Sequence, residues 1–489
     1  MENYWRIFLV KKLNIGFLSF LFLFPYKFSS QTEQKIQRFF IGTNQQVDVY
    51  FISGKKKGPT LLIFAGIHGD ESAGYLTCER YVDLKVKKGN LIIVPRLNLP
   101  AILSNRRNGI TGDMNRLFHF PEKIENNSDM KVVNLAKYLI TKSDCVLNLH
   151  QGKGFYSPVW INRERNPLKW GQSNIIDAPV FDLPNGEKLE LEKFAEKIVS
   201  KINSKIKDEK YCFHINNTNT GSKNSIHKEQ RKSLTYYAVT KQHKMAFGLE
   251  ATKDCSLPLA ISFLTIAVNS VIEEIGIVVD KLPSEDPNFI EKEIKEKEKF
   301  EGIIVKINDT EKFIYPHRNI FLKENDKFEV LNVKTSDQKG WYIHGDIPIF
   351  YNGYGRTIQF KENDTLTIQK DNKKISSINV IVCPFLLEKL EVSIGDKVYY
   401  FQNQETIYLK PNEKIKFLKV YPADKTVKVN LKGFIGNKEY NDGQDLGYEI
   451  KKESLIPKYA LDKEKTLYKI ELTYKKNIIG ELFLKINNS

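Results

Sequence analysis

Five short segments of the chain carry residue types that could build a hydrolytic metal site. In AGIHGDESAG, residues 65–74, His68 and Glu71 stand three apart. An imidazole nitrogen and a carboxylate oxygen both suit Zn²⁺. A tight loop would let the two side chains converge, and Ala65, Gly66 and Gly69 leave the backbone room to turn. HxxE alone is a weak pattern. A catalytic zinc site takes three protein ligands and keeps one position open. The third candidate is His150, at the end of CVLNLHQG and followed by Gly152 and Gly154. Glu250 ends KMAFGLEAT, where a carboxylate is costly unless it faces a cleft or a partner. Beside a metal it suits a general base that takes a proton from the attacking water and hands it to a leaving amine. GDMNRLF, 112–118, sets Asn115 beside Arg116, whose planar fork matches a carboxylate. In SNRRNG, Arg106 or Arg107 could polarise a scissile carbonyl; otherwise both are surface arginines.

These residues need buried strands to aim them. Thr60–Ala65, Asn90–Val94, Cys145–Leu149, Tyr211–Ile215 and Met245–Leu249 are short apolar runs. Helical patterns at Glu71–Val82, Lys131–Lys142, Leu189–Ile206 and after Pro258 alternate with them. Such alternation predicts an α/β domain with helices flanking a central sheet, and ligands in such folds bind at the carboxyl ends of strands. His68 with Glu71, His150 and Glu250 each follow or end such a strand. After residue 300 the helical pattern stops, and strand-like runs with turns such as NDG and NGYG recur. Val305–Asp337 and Val392–Asp424 align without a gap at an offset of 87, with 11 identities in 33 positions, among them Val305/Val392 and Leu322/Leu409. The division predicted is therefore 1–30 export segment, 31–282 α/β domain, 283–299 linker, and two all-β, sandwich-like domains, 300–380 and 381–489, the second a repeat of the first.

Composition limits the partners. The chain has 489 residues, enough for two to four domains. Lys plus Arg exceeds Asp plus Glu by 75 − 59 = 16, but the lysines are spread along the chain without a dense basic block. That argues against nucleic acid and leaves a polyanionic envelope or an acidic substrate. Cys78, Cys145, Cys212, Cys255 and Cys383 are too scattered for a disulfide scaffold and read as small buried hydrophobes. Arg6, Lys11 and Lys12 precede an apolar run, Leu13 to Phe24, too short to span a bilayer comfortably. This reads as an export signal, cleaved or kept as an anchor, which puts the bulk of the chain outside the cytoplasm. No later segment reads as a membrane span; Pro258–Val279 is expected to be a largely buried helix.

The motif set resembles the funnelin-type zinc carboxypeptidases: HxxE, D-x-N-R, a strand-end His, then a late strand-end Glu. The AGxHGxE opening is shared with the aspartoacylase and succinylglutamate desuccinylase group. The likeness is nearest to the periplasmic, cell-shape-determining peptidoglycan DL-carboxypeptidases of helical Gram-negative bacteria, which carry two small β domains after the enzyme domain. Some members of that branch put Gln at the first ligand position, where His68 stands here. The resemblance implies one Zn²⁺ per chain on His68, Glu71 and His150, with Glu250 as base, and Asn115 with Arg116 on the substrate's terminal carboxylate. The reaction implied is release of meso-diaminopimelate from a muropeptide tripeptide stem, leaving a dipeptide. Tyr156 and Tyr236 are the open choices for a substrate-capping tyrosine. Envelope partners through the β domains are expected as well. Two other readings compete: an N-acyl amino acid deacylase on the same metal site, and a non-catalytic envelope-binding protein.

Overall fold

The computed structural model describes residues 33–487 except 122–126, 317, 347–348, 351–355, 424–425, 437–439 and 441. The export segment expected at 1–30 lies outside these residues.

The enzyme domain is built on a mixed sheet. Its strands run in the spatial order Glu33–Phe39, Val47–Ser53, Val86–Val94, Lys56–Ala65, Cys145–Gly152, Met245–Thr252, Ser173–Ile176 and His214–Asn217, with Val278–Val279 added on Val86–Val94. The four central strands are parallel, and antiparallel pairs flank them on both sides. Cys145–Gly152 is buried at every position, as expected of a strand covered on both faces. The helices are α1 (Ser72–Glu79), α2 (Leu99–Leu103), α3 (Met130–Thr141), α4 (Leu191–Lys205), α5 (Leu234–Gln242), α6 (Leu257–Glu274) and α7 (Pro287–Lys297). α6 packs against α1, α4 and α7, while α3 and α5 pack together.

Three expectations shift. The strand read at Tyr211–Ile215 begins later, at His214, because Asp208 caps a short 3-10 turn over Glu209–Tyr211. α6 has the length and apolarity of a membrane span, more than the sequence reading allowed. It is buried without a break from Ala260 to Ile272. The segment 283–299, read as a linker, carries α7. Ile290 is 1% exposed within the main core, and Arg80 pairs with Glu293 at 3.1 Å.

The two β units repeat each other in strand order, apart from the extra strand Ile349–Phe350 at the end of one sheet of the first. In the first, one sheet runs Thr310–Ile314, Gly302–Ile307, Phe328–Lys334, Thr357–Ile358. In the second, the matching sheet runs Lys397–Phe401, Lys389–Ile394, Ile415–Tyr421, Glu449–Ile450. Facing sheets begin with the parallel pairs Ile320–Leu322 on Lys373–Val382 and Thr406–Leu409 on Asn477–Ile486. Even a β-bulge recurs at the offset of 87, at Ile304/Val305 and at Glu391/Val392. Val305, Leu322, Val392 and Leu409 are all fully buried, so the sequence identities sit at core positions. All five cysteines are free thiols.

The first β unit is locked onto the enzyme domain through the Lys370–Lys373 turn. Arg96 donates from Nε to Asp371 Oδ1 at 2.5 Å and from a terminal nitrogen to Oδ2 at 3.1 Å, and it also pairs with Glu79. Gln369 Nε2 donates to the Leu103 carbonyl at 2.7 Å, and Asn372 Nδ2 to Asn105 Oδ1 at 3.0 Å. Arg96, Glu79 and Asp371 are all buried. Removing one partner of such a cluster strands the others without compensation. Asp371→Ala is therefore expected to lower unfolding stability by about 3–5 kcal/mol, read by denaturant titration; a loss within the ~0.5 kcal/mol of an ordinary surface change would show the cluster to be dispensable. A cavity of about 1520 Å³ lies beside this junction, lined by Tyr50, Lys297 and Trp341 among others, and holds none of the candidate site residues.

Candidate active site

The metal-ligand loop is shaped by two glycines. Gly66 has φ +68°, and a Cβ there would sit 2.8 Å from Ile102 Cδ1. At Gly69 a Cβ would stand 1.9 Å from the Ala101 carbonyl carbon. The loop therefore lies directly on α2, and Gly69 N–H donates to the Arg106 carbonyl at 2.9 Å. Leu97 and Asn98 N–H donate to the carbonyls of Ala65 and Gly66, both at 3.0 Å, tying the neighbouring strand end to the same loop. Glu71 is the residue before α1, outside the helical turn, so its carboxylate is free to face the strand ends.

That carboxylate is the centre of the site. His68 Nδ1 lies 2.9 Å from Glu71 Oε1, and His150 Nδ1 lies 2.8 Å from Oε2. The two imidazole centroids are 5.0 Å apart. All three side chains are buried, and one ligand atom from each falls within 4.8 Å of the others. Gln151 N–H donates to Glu71 Oε2 at 3.2 Å. The second nitrogen of His68 meets Asp113 Oδ1 at 3.1 Å. Asp113 is itself fixed by capping the 3-10 turn Met114–Arg116, accepting from Asn115 N–H at 3.0 Å.

The electrostatics of these side chains suit a cation. Burial alone would lower His68, but the Glu71 and Asp113 carboxylates outweigh it and push the imidazole up to about 9. With Nδ1 on one carboxylate and Nε2 on another, His68 can satisfy both only as an imidazolium. Burial keeps His150 below the ordinary range despite Glu71, since it has no second carboxylate. Burial would raise Glu71, yet His68 and His150 hold it well below its usual range. A cation held by His68, Glu71 and His150 would supply that positive charge. Two nitrogens and a carboxylate are a fitting donor set. The site residues thus fit a metal ion.

The other candidates gather around this centre in a cleft of about 490 Å³. Glu250 lies opposite His150 in the parallel ladder. Burial first, then the nearby Glu71, pushes its carboxyl well up, and its Oε2 has no partner. Arg107 lines the cleft, contacting Glu71 at 3.3 Å and Asp113 at 3.1 Å, whereas Arg106 does not line it. Asn115 Oδ1 accepts Leu234 N–H at 3.0 Å, which leaves its Nδ2 as the donor for a ligand. Arg116 lines the cleft beside it and donates to the Asn115 carbonyl at 3.1 Å. Neither Tyr156 nor Tyr236 is among the cleft residues. Asp113 is the residue that sequence reasoning passed over within GDMNRLF. Asp ahead of a short helical turn is a capping signal, and that signal was available.

A model of the catalytic domain of carboxypeptidases controlling helical cell shape matches residues 40–295, and one of a C-terminal domain of metallo-carboxypeptidases matches 386–487. The mDAP-bound form of Helicobacter pylori Csd4, a D,L-carboxypeptidase, is 25% identical with a TM-score of 0.54, covering 88% of this chain and 97% of that one. The tripeptide-bound cell shape determinant Csd4 of the same organism gives 25% and 0.53, covering 88% and 96%. N-alpha-acetyl-L-2,4-diaminobutyric acid deacetylase of Halomonas elongata is 34% identical over 102 residues, 20% of this chain. The chain spans only 29% of the length of that curated relative. With a His–Glu–His cluster at the strand ends and a model match over more than half its length, the chain belongs to the family of metallo-carboxypeptidases that control helical cell shape.

Proposed function

We propose that the protein is a zinc-dependent DL-carboxypeptidase of the periplasm that releases meso-diaminopimelate from the tripeptide stem of peptidoglycan. The observation that carries this reading is the meeting in one cleft of His68, Glu71 and His150 with Glu250, Arg107, Asn115 and Arg116. Similarity to Csd4 structures holding mDAP and a tripeptide supports the substrate. The positive and apolar run at the N-terminus supports export.

Zn²⁺ on His68, Glu71 and His150 would act as a Lewis acid toward the scissile carbonyl and lower the pKa of the attacking water. Asp113 holds the first imidazole in orientation from behind. Glu250 receives the proton of the attacking water and returns it to the departing amine; its raised proton affinity suits both steps. Arg107 is placed to hold the developing negative charge on the carbonyl oxygen. Arg116, with the Asn115 amide, holds the terminal carboxylate and makes the enzyme an exopeptidase. We assign envelope docking to the β units; Val398, Tyr399 and Tyr400 are exposed on an edge strand of the second.

Digestion of purified muropeptides with mass spectrometry of the products tests the reading. A tripeptide stem is expected to lose its last residue, while the same stem amidated or extended at its terminus is cleaved poorly. Equal cleavage of free and blocked stems would make the protein an endopeptidase or amidase. Release of a carboxylic acid from an N-acyl amino acid, without action on muropeptides, would favour the deacylase reading that the Halomonas relative suggests. Arg116→Lys keeps the charge but loses the fork. It is expected to slow the free stem by about 10–100-fold and to leave the blocked stem where it was. Equal losses on both substrates with a lowered melting temperature would make Arg116 a structural ion-pair residue.

A further inference from the structure

The β repeat keeps its core and rewrites its outer face. Because the bulge recurs at the same offset, the two surfaces correspond position by position. Gly302 opposite Lys334 matches Lys389 opposite Tyr421, and Lys306 opposite Glu329 matches Ser393 opposite Lys416. Val305 and Val330 of the first unit, like Val392 and Phe417 of the second, point into the cores. The residues that alternate with them face outward. At those outward positions the first unit sets Lys306 and Lys334 against Glu311 and Glu329, and the charges cancel. The second sets Lys389, Lys416 and Lys419 against Glu391, which leaves the face positive. Glu449, on the fourth strand, is already held by Lys414 at 2.9 Å.

The aromatic rings differ in the same way. In the first unit the Phe313 ring lies across Gly302, where a Cβ would stand 2.6 Å from its Cζ. In the second, Lys389 fills the matching position. Its ammonium lies 4.3 Å from the Tyr400 ring centroid and 4.7 Å from that of Tyr421. The Lys419 ammonium lies 5.1 Å from the Tyr421 ring. Tyr421 donates its hydroxyl to Glu391 Oε2 at 3.0 Å, which fixes that ring. Tyr400 is 55% exposed. The two rings hold the Lys389 ammonium before any ligand arrives, so binding costs little side-chain freedom. The core beneath does not call for this arrangement, since the first unit packs the same core under a neutral face.

We propose that this face of the second β unit binds the peptidoglycan polymer itself, Tyr400 and Tyr421 stacking on sugar rings while Lys389, Lys416 and Lys419 pair with carboxylates along the strand. It rests on the envelope assignment above and leaves the cleft chemistry untouched. Peptidoglycan is a run of sugar rings that carries free carboxylates. The C–H faces of such rings stack on aromatic rings, and a positive face attracts the polyanion. Val398 supplies the aliphatic surface of the face, too little to enter lipid.

The test uses the full chain and glycan strands whose stems an amidase has removed. Each disaccharide then keeps a lactyl carboxylate, while the cleft has no stem to bind. Calorimetry reads the affinity. The variant Lys389→Gln/Lys416→Gln/Lys419→Gln is expected to bind at least about 10-fold more weakly. Tyr400→Ser, a single exposed change that guards against misfolding, should lose about 3–10-fold. Lys306→Gln/Lys312→Gln/Lys334→Gln removes the same charge from the first unit and should stay within about 2-fold of wild type. Added salt should weaken the wild type most. All variants should cleave a soluble tripeptide stem at the wild-type rate. Unchanged affinity in the variants of the second unit, or an equal loss in the first-unit control, overturns the proposal. So does wild type that ignores glycan and binds phosphatidylglycerol vesicles instead. If wild type binds glycan but cleaves no stem, the carboxypeptidase reading falls and this one stands; cleavage without glycan binding gives the reverse.

Discussion

Glu250→Gln keeps the fold and the metal but lowers turnover on the tripeptide stem by about 10²–10⁴-fold, the contribution of a well-placed general base. Gln fills the same volume beside His150 and can still hydrogen-bond, so packing and ligand geometry should persist. Proton affinity is what disappears. In the native site, burial and the Glu71 carboxylate push the Glu250 carboxyl well up, and its unpaired Oε2 awaits a donor. Rates from amino acid release, metal content from elemental analysis and a thermal melt separate the roles. Near-normal turnover in a folded, metal-loaded variant would make Glu250 a structural carboxylate and require another base.

His150→Ala should abolish stoichiometric metal binding, because His68 and Glu71 alone rarely hold a catalytic ion. The loss is expected to be graded along the chain of contacts. Asp113→Asn keeps all three ligands but weakens the hold on the second nitrogen of His68. That change should cost about 10–100-fold in metal affinity. Competition with a chelator, followed by elemental analysis, reads both effects. One full equivalent of metal in His150→Ala would remove His150 from the ligand set. An unchanged affinity in Asp113→Asn would make that contact incidental.

The principal site residues were legible because each stands where a buried apolar strand ends. His68, Glu71, His150 and Glu250 are polar groups at the mouths of hydrophobic runs, and a sheet brings such mouths to one edge. The β repeat was legible for a similar reason. Its identities, such as Val305/Val392 and Leu322/Leu409, are fully buried positions that the fold holds constant. Asp113 was passed over because its neighbours Asn115 and Arg116 drew the attention, while its own task depends on a backbone turn. α7 was hidden by its charge; the apolar pair Ile290 and Ile294, one helical turn apart, was the available sign. The Arg96–Asp371 pair spans 275 residues, and nothing local distinguishes either from a surface charge.

That pair has a mechanical consequence. The Lys370–Lys373 turn touches the enzyme domain at Arg96, Leu103 and Asn105. Next to Arg96, Leu97 and Asn98 bond the metal-ligand loop, and Asn105 directly precedes Arg106 and Arg107. Cleft and first β unit are therefore tied together by direct contacts rather than by a bare tether. Under the envelope docking proposed above, whatever holds that unit would set the angle at which the cleft meets its substrate. Two chains with identical catalytic residues but different anchoring would then trim differently oriented strands, and the geometry of wall remodelling would be inherited from the anchor.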